Sequence, residues 1–129
     1  MYFAVPDVPT IVNINRVSAT EIRLNWSQLT LEESRGFPLS YTVAYSGTER
    51  TTCPEVAPEN TIKVSHSGNS QLQLVINNLN PRVEYCVAIA ASTVAGTSDF
   101  SDAQKVPRKY MSIVIVTEVT LLIIVITIL

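Results

Sequence analysis

Cys53 and Cys86 are the only cysteines, His66 is the only histidine, and short groups of carboxylates stand at Glu32-Glu33 and at Glu55 and Glu59. Each of these types could do chemistry. Two thiols permit one disulfide and are too few for a metal cluster. A histidine among serines could act as a general base, but nothing around His66 supplies a nucleophile elbow or an oxyanion loop. In Ser65-His66-Ser67-Gly68-Asn69-Ser70 it reads as a solvated turn residue. The glutamates lack the Asp-rich spacing of a calcium loop and read as solvated loop charges. Asn25-Trp26-Ser27 is the single N-glycosylation sequon, and a glycan at Asn25 is expected to be sterically possible if Trp26 points inward. No catalytic residue, metal set or cofactor site is assigned, and no small-molecule substrate is expected.

The chemistry is thin, so the elements carry the reading. At 129 residues the chain holds one domain and a tail, and its 47% hydrophobic content suffices for a core. A formal net charge of -2 with no basic stripe disfavours nucleic acid as a partner. Residues 1–5 lead into Pro6-Asp7-Val8-Pro9, an extended, proline-spaced linker. A strand is expected over 10–17. Ile22, Leu24 and Trp26 then alternate with Arg23, Asn25 and Ser27, the period-2 signal of a half-buried strand. Tyr41, Val43 and Tyr45 mark a third strand, Ile62 and Val64 a short fourth, and Leu72, Leu74 and Ile76 a fifth. A sixth carries Tyr85, Val87, Ile89 and Ala91, and 100–106 closes the set after a loop at 94–99. Between the fifth and sixth, Leu79 is expected to plug the core while Pro81 fixes φ where the chain crosses between sheets. The Tyr85 ring is then buried and its hydroxyl returns to the backbone of the crossing, which is the logic of a tyrosine corner. About seven short strands without a helix predict an all-β, seven-stranded Greek-key sandwich.

From Pro6 to Pro107 the motifs resemble a fibronectin type III domain. They are the proline lead-in, Ile22-x-Leu24-x-Trp26, Gly36 before Tyr41-x-Val43-x-Tyr45, Leu79-x-Pro81-x-x-x-Tyr85-x-Val87-x-Ile89-x-Ala91, and then Gly96 and Ser98. An immunoglobulin domain would need a cysteine two residues after the corner tyrosine and another before the tryptophan strand. Cys86 instead follows Tyr85 directly, so alternation turns it to the opposite face. A cytokine-receptor Trp-Ser-x-Trp-Ser signature is also missing, the nearest text being Thr97-Ser98-Asp99-Phe100-Ser101. In the topology this resemblance implies, the Cys86 strand begins beside the end of the Tyr41–Tyr45 strand, and Cys53 lies in the loop leaving that end. A Cys53–Cys86 disulfide on the outer face is therefore expected. Some relatives carry Arg-Gly-Asp in the loop at 95–99; it is missing here, so integrin recognition is not implied. A protein ligand would meet the loops at 32–38 and 96–99, or an edge strand.

Residues 111–129 are overwhelmingly Ile, Leu and Val. As a helix they would reach about 28 Å, close to one hydrocarbon core. Glu118 costs roughly 2.5–3.5 kcal/mol at mid-helix, and about a dozen Ile, Leu and Val residues at roughly −0.3 to −0.6 each outweigh it. A transmembrane helix over 108–129 in contact with the lipid bilayer is expected; the alternative, a further β segment, draws on the β-branched composition. Arg108 and Lys109 precede the run and would favour a cytosolic domain by the positive-inside rule. The resemblance favours the opposite, an extracellular domain on a single-pass cell-membrane protein. No signal-peptide pattern opens the sequence, because Pro6 and Pro9 follow Met1-Tyr2-Phe3-Ala4-Val5 at once, so this reading expects a native N-terminus upstream. The expected function is a non-catalytic protein-binding or spacer module of an adhesion or receptor protein. The alternative is the ectodomain of a receptor-type tyrosine phosphatase or kinase whose catalytic domain lies outside this chain.

Overall fold

A computed structural model of the chain describes residues 4–30, 32–34, 40–54, 60–65, 71–108, 111–116 and 123–128. Period-2 segments rich in β-branched and aromatic residues become strands, and Pro, Gly and Asn punctuate them. The order is β1 (Ile11–Ser18), β2 (Glu21–Ser27), β3 (Ser40–Thr48), β4 (Asn60–Ser65), β5 (Gln71–Ile76), β6 (Glu84–Thr93), β7 (Gly96–Thr97) and β8 (Gln104–Val106). One sheet runs β1-β2-β5 and the other β4-β3-β6, with β7 and β8 both on the free edge of β6. All the pairings are antiparallel.

The register explains the core. Ile22, Leu24 and Trp26 stand opposite Ile76, Leu74 and Leu72, so one row of apolar side chains lines the inner face of the first sheet. Across the gap, Tyr41, Val43 and Tyr45 oppose Ala91, Ile89 and Val87. Trp26, Tyr41, Val43, Val87 and Ile89 are fully enclosed, Leu79 and Tyr85 are buried, and Tyr45 and Pro81 are half-buried. Each large side chain so placed stabilises the fold by roughly 1.5–3 kcal/mol relative to exposure. The Trp26 and Tyr41 rings meet at 5.5 Å between centroids, tying the two sheets together where β2 ends and β3 begins.

Two expectations need correction in detail. The closing strand does not run over 100–106: within that span only β8 is strand, β7 falls in the loop expected at 94–99, and the segment between them follows β6 through the Ser98 and Ser101 hydrogen bonds described below. The helix expected at the C-terminus does not appear among the described residues, none of whose helices is long and apolar enough to cross a membrane. Instead β9 (Met111–Val116) and β10 (Ile123–Ile128) pair antiparallel as a separate two-stranded sheet, with Met111 opposite Ile128 and Val116 opposite Ile123. Nearly every residue in those strands is β-branched, and stiff χ1 angles favour an extended backbone over a helix. Glu118 lies outside the described residues.

Candidate functional site

One pole of the sandwich is built around the crossing from β5 to β6. Asn78 takes a left-handed backbone (φ 59°), which its short polar side chain tolerates, and the turn carries the chain to the other sheet. The Leu79 amide donates to Thr20 O at 3.0 Å, fixing the crossing to the β1–β2 turn. The Asn80 amide donates to the Tyr85 hydroxyl at 2.9 Å, and Asn80 Oδ1 accepts from the Arg82 amide at 2.9 Å. The corner tyrosine thus holds the loop that precedes it.

Arg16, a residue with no role in the sequence reading, completes this pole. It stands opposite Ile22 in register and is 9% exposed, an arginine at the inner end of an apolar row. Its Nη1 donates to Val83 O at 2.6 Å, and its Nη2 donates to Ala19 O at 2.7 Å and Asn80 O at 2.8 Å. The guanidinium carbon lies 5.3 Å from the centroid of the Tyr85 ring. Burial lowers its pKa from the ordinary arginine value, while the nearby Tyr85 and Glu84 act in the opposite direction. Five N–H donors in a planar fork allow one side chain to collect carbonyls from both turns. No local periodicity announces this, because the three carbonyls belong to distant or irregular segments.

Cys53 and Cys86 form a disulfide, with Cα atoms 5.7 Å apart and 33 residues of separation. Cys86 points to the outer face of β6, between Ser46 on β3 and Lys105 on β8. The loop leaving β3 is drawn across that face: Cys53 is bonded to β6, and Arg50 O accepts from Lys105 Nζ at 2.7 Å. On this outer face Ala44, Cys86, Ala88 and Ala90 are buried although they face away from the core. Lys105 Nζ also pairs with Glu84 Oε1 at 3.1 Å. This hydrogen bond is the main reason the Glu84 carboxyl is held below its ordinary value.

At the opposite pole Thr30 and Glu33 brace the loop after β2. The Thr30 amide donates to Glu33 Oε1 at 2.9 Å and the Glu33 amide to Thr30 Oγ1 at 3.1 Å, which lowers the Glu33 pKa. The Asp7 amide donates to Glu33 O at 3.0 Å, so the proline-spaced lead-in is fastened to this loop. The Tyr41 hydroxyl accepts from the Leu29 amide at 3.1 Å, and burial raises its pKa. Gly96, at φ 134°, lies under Val5, where a Cβ would come within 2.9 Å of Val5 Cγ1. Gly36 and Pro38 lie outside the described residues.

The serines near 98 act on the fold. Where β7 ends and β8 has not begun, Ser98 Oγ accepts from the Ala91 amide at 3.0 Å and Ser101 Oγ from the Ile89 amide at 3.0 Å. Hydroxyls stand in for missing ladder carbonyls on the β6 edge. Asn25 is half-buried on the outer face of β2, flanked in register by Asn13 and Gln73. His66, Glu55 and Glu59 lie outside the described residues. Among the described residues no three His, Cys, Asp or Glu side chains converge to hold a metal.

The comparisons with known proteins agree with this geometry. The family profile described as "Fibronectin type III domain" matches residues 7–106. The third fibronectin III domain of human KIAA0343 protein is similar at 16% identity and TM-score 0.61, covering 78% of this chain and 79% of that one. The FN1–FN3 domains of chicken CNTN1 are similar at 23% identity and TM-score 0.61; 81% of this chain is covered, but only 33% of that longer one. The FN5 domain of Drosophila Lar is similar at 19% identity and TM-score 0.55, covering 81% of this chain and 97% of that domain. At these identities the likeness concerns the fold. A search of curated proteins finds no match.

Proposed function

The chain belongs to the fibronectin type III family, and from that premise we propose that it serves as a non-catalytic extracellular module of a single-pass adhesion or receptor-type membrane protein. Modules of this family are commonly extracellular parts of such proteins. The observation that carries the reading is the Cys53–Cys86 disulfide, laid over the outer face of β6. Disulfides persist in oxidising compartments and are rare in the cytosol. The module would space its neighbours rigidly and offer a protein ligand the loops at 30–34 and 94–99, held by Thr30–Glu33 and by Ser98.

Residues 111–129 supply the anchor. Strands of six residues span only about 20 Å, and an open two-stranded sheet leaves two edges of unpaired backbone groups. Hydrocarbon does not tolerate such edges, so inside a bilayer a single copy of these residues, too few to close a barrel, satisfies its backbone as a helix. The test is alkaline extraction of membranes from cells expressing the chain behind a signal peptide, with protease added outside intact cells. Retention in the pellet with digestion of the domain is expected. Release at alkaline pH refutes the anchor, and full protease protection refutes the extracellular placement.

A further inference from the structure

Although the chain is acidic overall, five of its seven described cations stand toward one end of the sandwich. That end is the pole from which β8 leaves toward the apolar run. Arg82 sits in the crossing, Arg108 directly after β8, Lys105 within it, and Arg50 in the loop strapped across β6. They are linked: Arg108 Nη1 donates to Arg82 O at 3.4 Å, and Lys105 Nζ donates to Arg50 O at 2.7 Å. Arg16 lies beneath, its charge directed at backbone carbonyls and not at a carboxylate. Among the described residues the acids at this end are Glu21, Glu49 and Glu84, and Glu84 is already taken by Lys105. The opposite half carries Asp7, Glu32, Glu33 and Asp99, against which Lys63 on β4, at the level of Asp99, is the described cation. Among the described residues the domain is therefore polarised along its long axis, positive toward the end from which β8 leaves.

We propose that this basic pole is a phosphate-binding face that rests on the headgroups of the bilayer next to the anchor. Arg50 and Arg82 are its exposed contacts, since both side chains are solvent-accessible. The proposal builds on the anchor reading, which places Met111 at the membrane three residues beyond Arg108. A guanidinium matches a phosphate's geometry through two parallel hydrogen bonds, and tethering raises the local phosphate concentration without further contacts. The acidic pole would be repelled from the same surface. The consequence is an upright domain, with the loops at 30–34 and 94–99 held away from the membrane.

The test uses the full chain reconstituted into vesicles whose headgroups carry a nitroxide, with amide signals followed by NMR. Phosphatidylcholine vesicles are compared with vesicles that also contain phosphatidylglycerol. Broadening at Arg82 and Lys105, but not at Glu32 and Glu33, is expected to strengthen with the anionic lipid and weaken with salt. In R50E/R82E, contact should fall by at least about 25-fold, from on the order of fivefold per basic residue near an anionic surface. Unfolding of that variant followed through Trp26 fluorescence should match wild type. Equal broadening in both proteins, or in both vesicle types, overturns the proposal while leaving the anchor intact. A chain that alkali strips from the vesicles refutes the anchor instead. Docking is then judged by flotation with anionic vesicles: loss of flotation in R50E/R82E supports it, and absence of flotation in wild type overturns it. Wild type that binds a sulfated polysaccharide but does not float with the anionic vesicles also overturns it, in favour of a soluble anion.

Discussion

Replacing Arg16 by Met should cost the domain about 3–4 kcal/mol. The stem length and volume are kept, so the core loses little packing. What disappears is the fork that satisfies Val83 O, Ala19 O and Asn80 O, together with the contact to the Tyr85 ring. Hydrogen bonds to a charged donor contribute about 1.5–3 kcal/mol each, and a carbonyl left buried costs about 1–3 kcal/mol. Against this, Met removes the desolvation cost of a guanidinium at the end of an apolar row, worth several kcal/mol. Three carbonyls against one desolvated cation leave a net loss, because the turns cannot close on each other without the donor. Lys at this position keeps the charge but not the fork; it should recover at most about half the loss. Urea unfolding followed by Trp26 fluorescence measures this, with the midpoint falling and the slope unchanged. Combining Arg16→Met with Tyr85→Phe should show coupling of at least about 1 kcal/mol, because both side chains hold the 80–83 loop. A methionine variant within about 0.5 kcal/mol of wild type, or strict additivity with Tyr85→Phe, would refute the clamp.

Three further outcomes follow from other parts of the fold. Replacing both Cys53 and Cys86 by Ala should cost roughly 3–4 kcal/mol from the 33-residue separation in the chain-entropy argument and lower the melting temperature by at least about 12 °C in calorimetry. The Glu84 carboxyl is depressed in the folded state, so its contribution is present above the ordinary value of 4.5 and is lost as pH falls from there through the folded value. Lys105→Met should flatten the stability–pH slope in that acidic window, and an unaltered slope would remove the pair from the account. Ser98→Ala should cost about 1–2 kcal/mol and speed hydrogen exchange at the Ala91 amide, because that buried donor loses its acceptor; unchanged exchange would show another acceptor.

Much of the sandwich could be read from alternation alone. Ile22, Leu24 and Trp26 against Leu72, Leu74 and Ile76 announce paired strands because a half-buried strand must repeat every two residues. The corner at Leu79, Pro81 and Tyr85 was legible because proline and tyrosine each carry a specific local demand. Arg16 was not: an arginine in an edge strand reads as a solvated charge, and its partners at Asn80 and Val83 are defined only once the sheets have stacked. The broken closing strand escaped for a related reason. Ser98 and Ser101 look like ordinary loop serines, and only the β6 edge reveals that their hydroxyls replace ladder carbonyls. The apolar run at 111–129 was ambiguous from composition, since Ile and Val serve a strand and a membrane span alike, and solvent decides between them.

The central claim, a disulfide-strapped sandwich working outside the cell, is tested most directly on protein recovered from intact cells after blocking free thiols with an alkylating reagent. Mass spectrometry of the unreduced digest should return one peptide pair joined through Cys53 and Cys86, with neither residue alkylated. Recovery of both cysteines in alkylated form would contradict it.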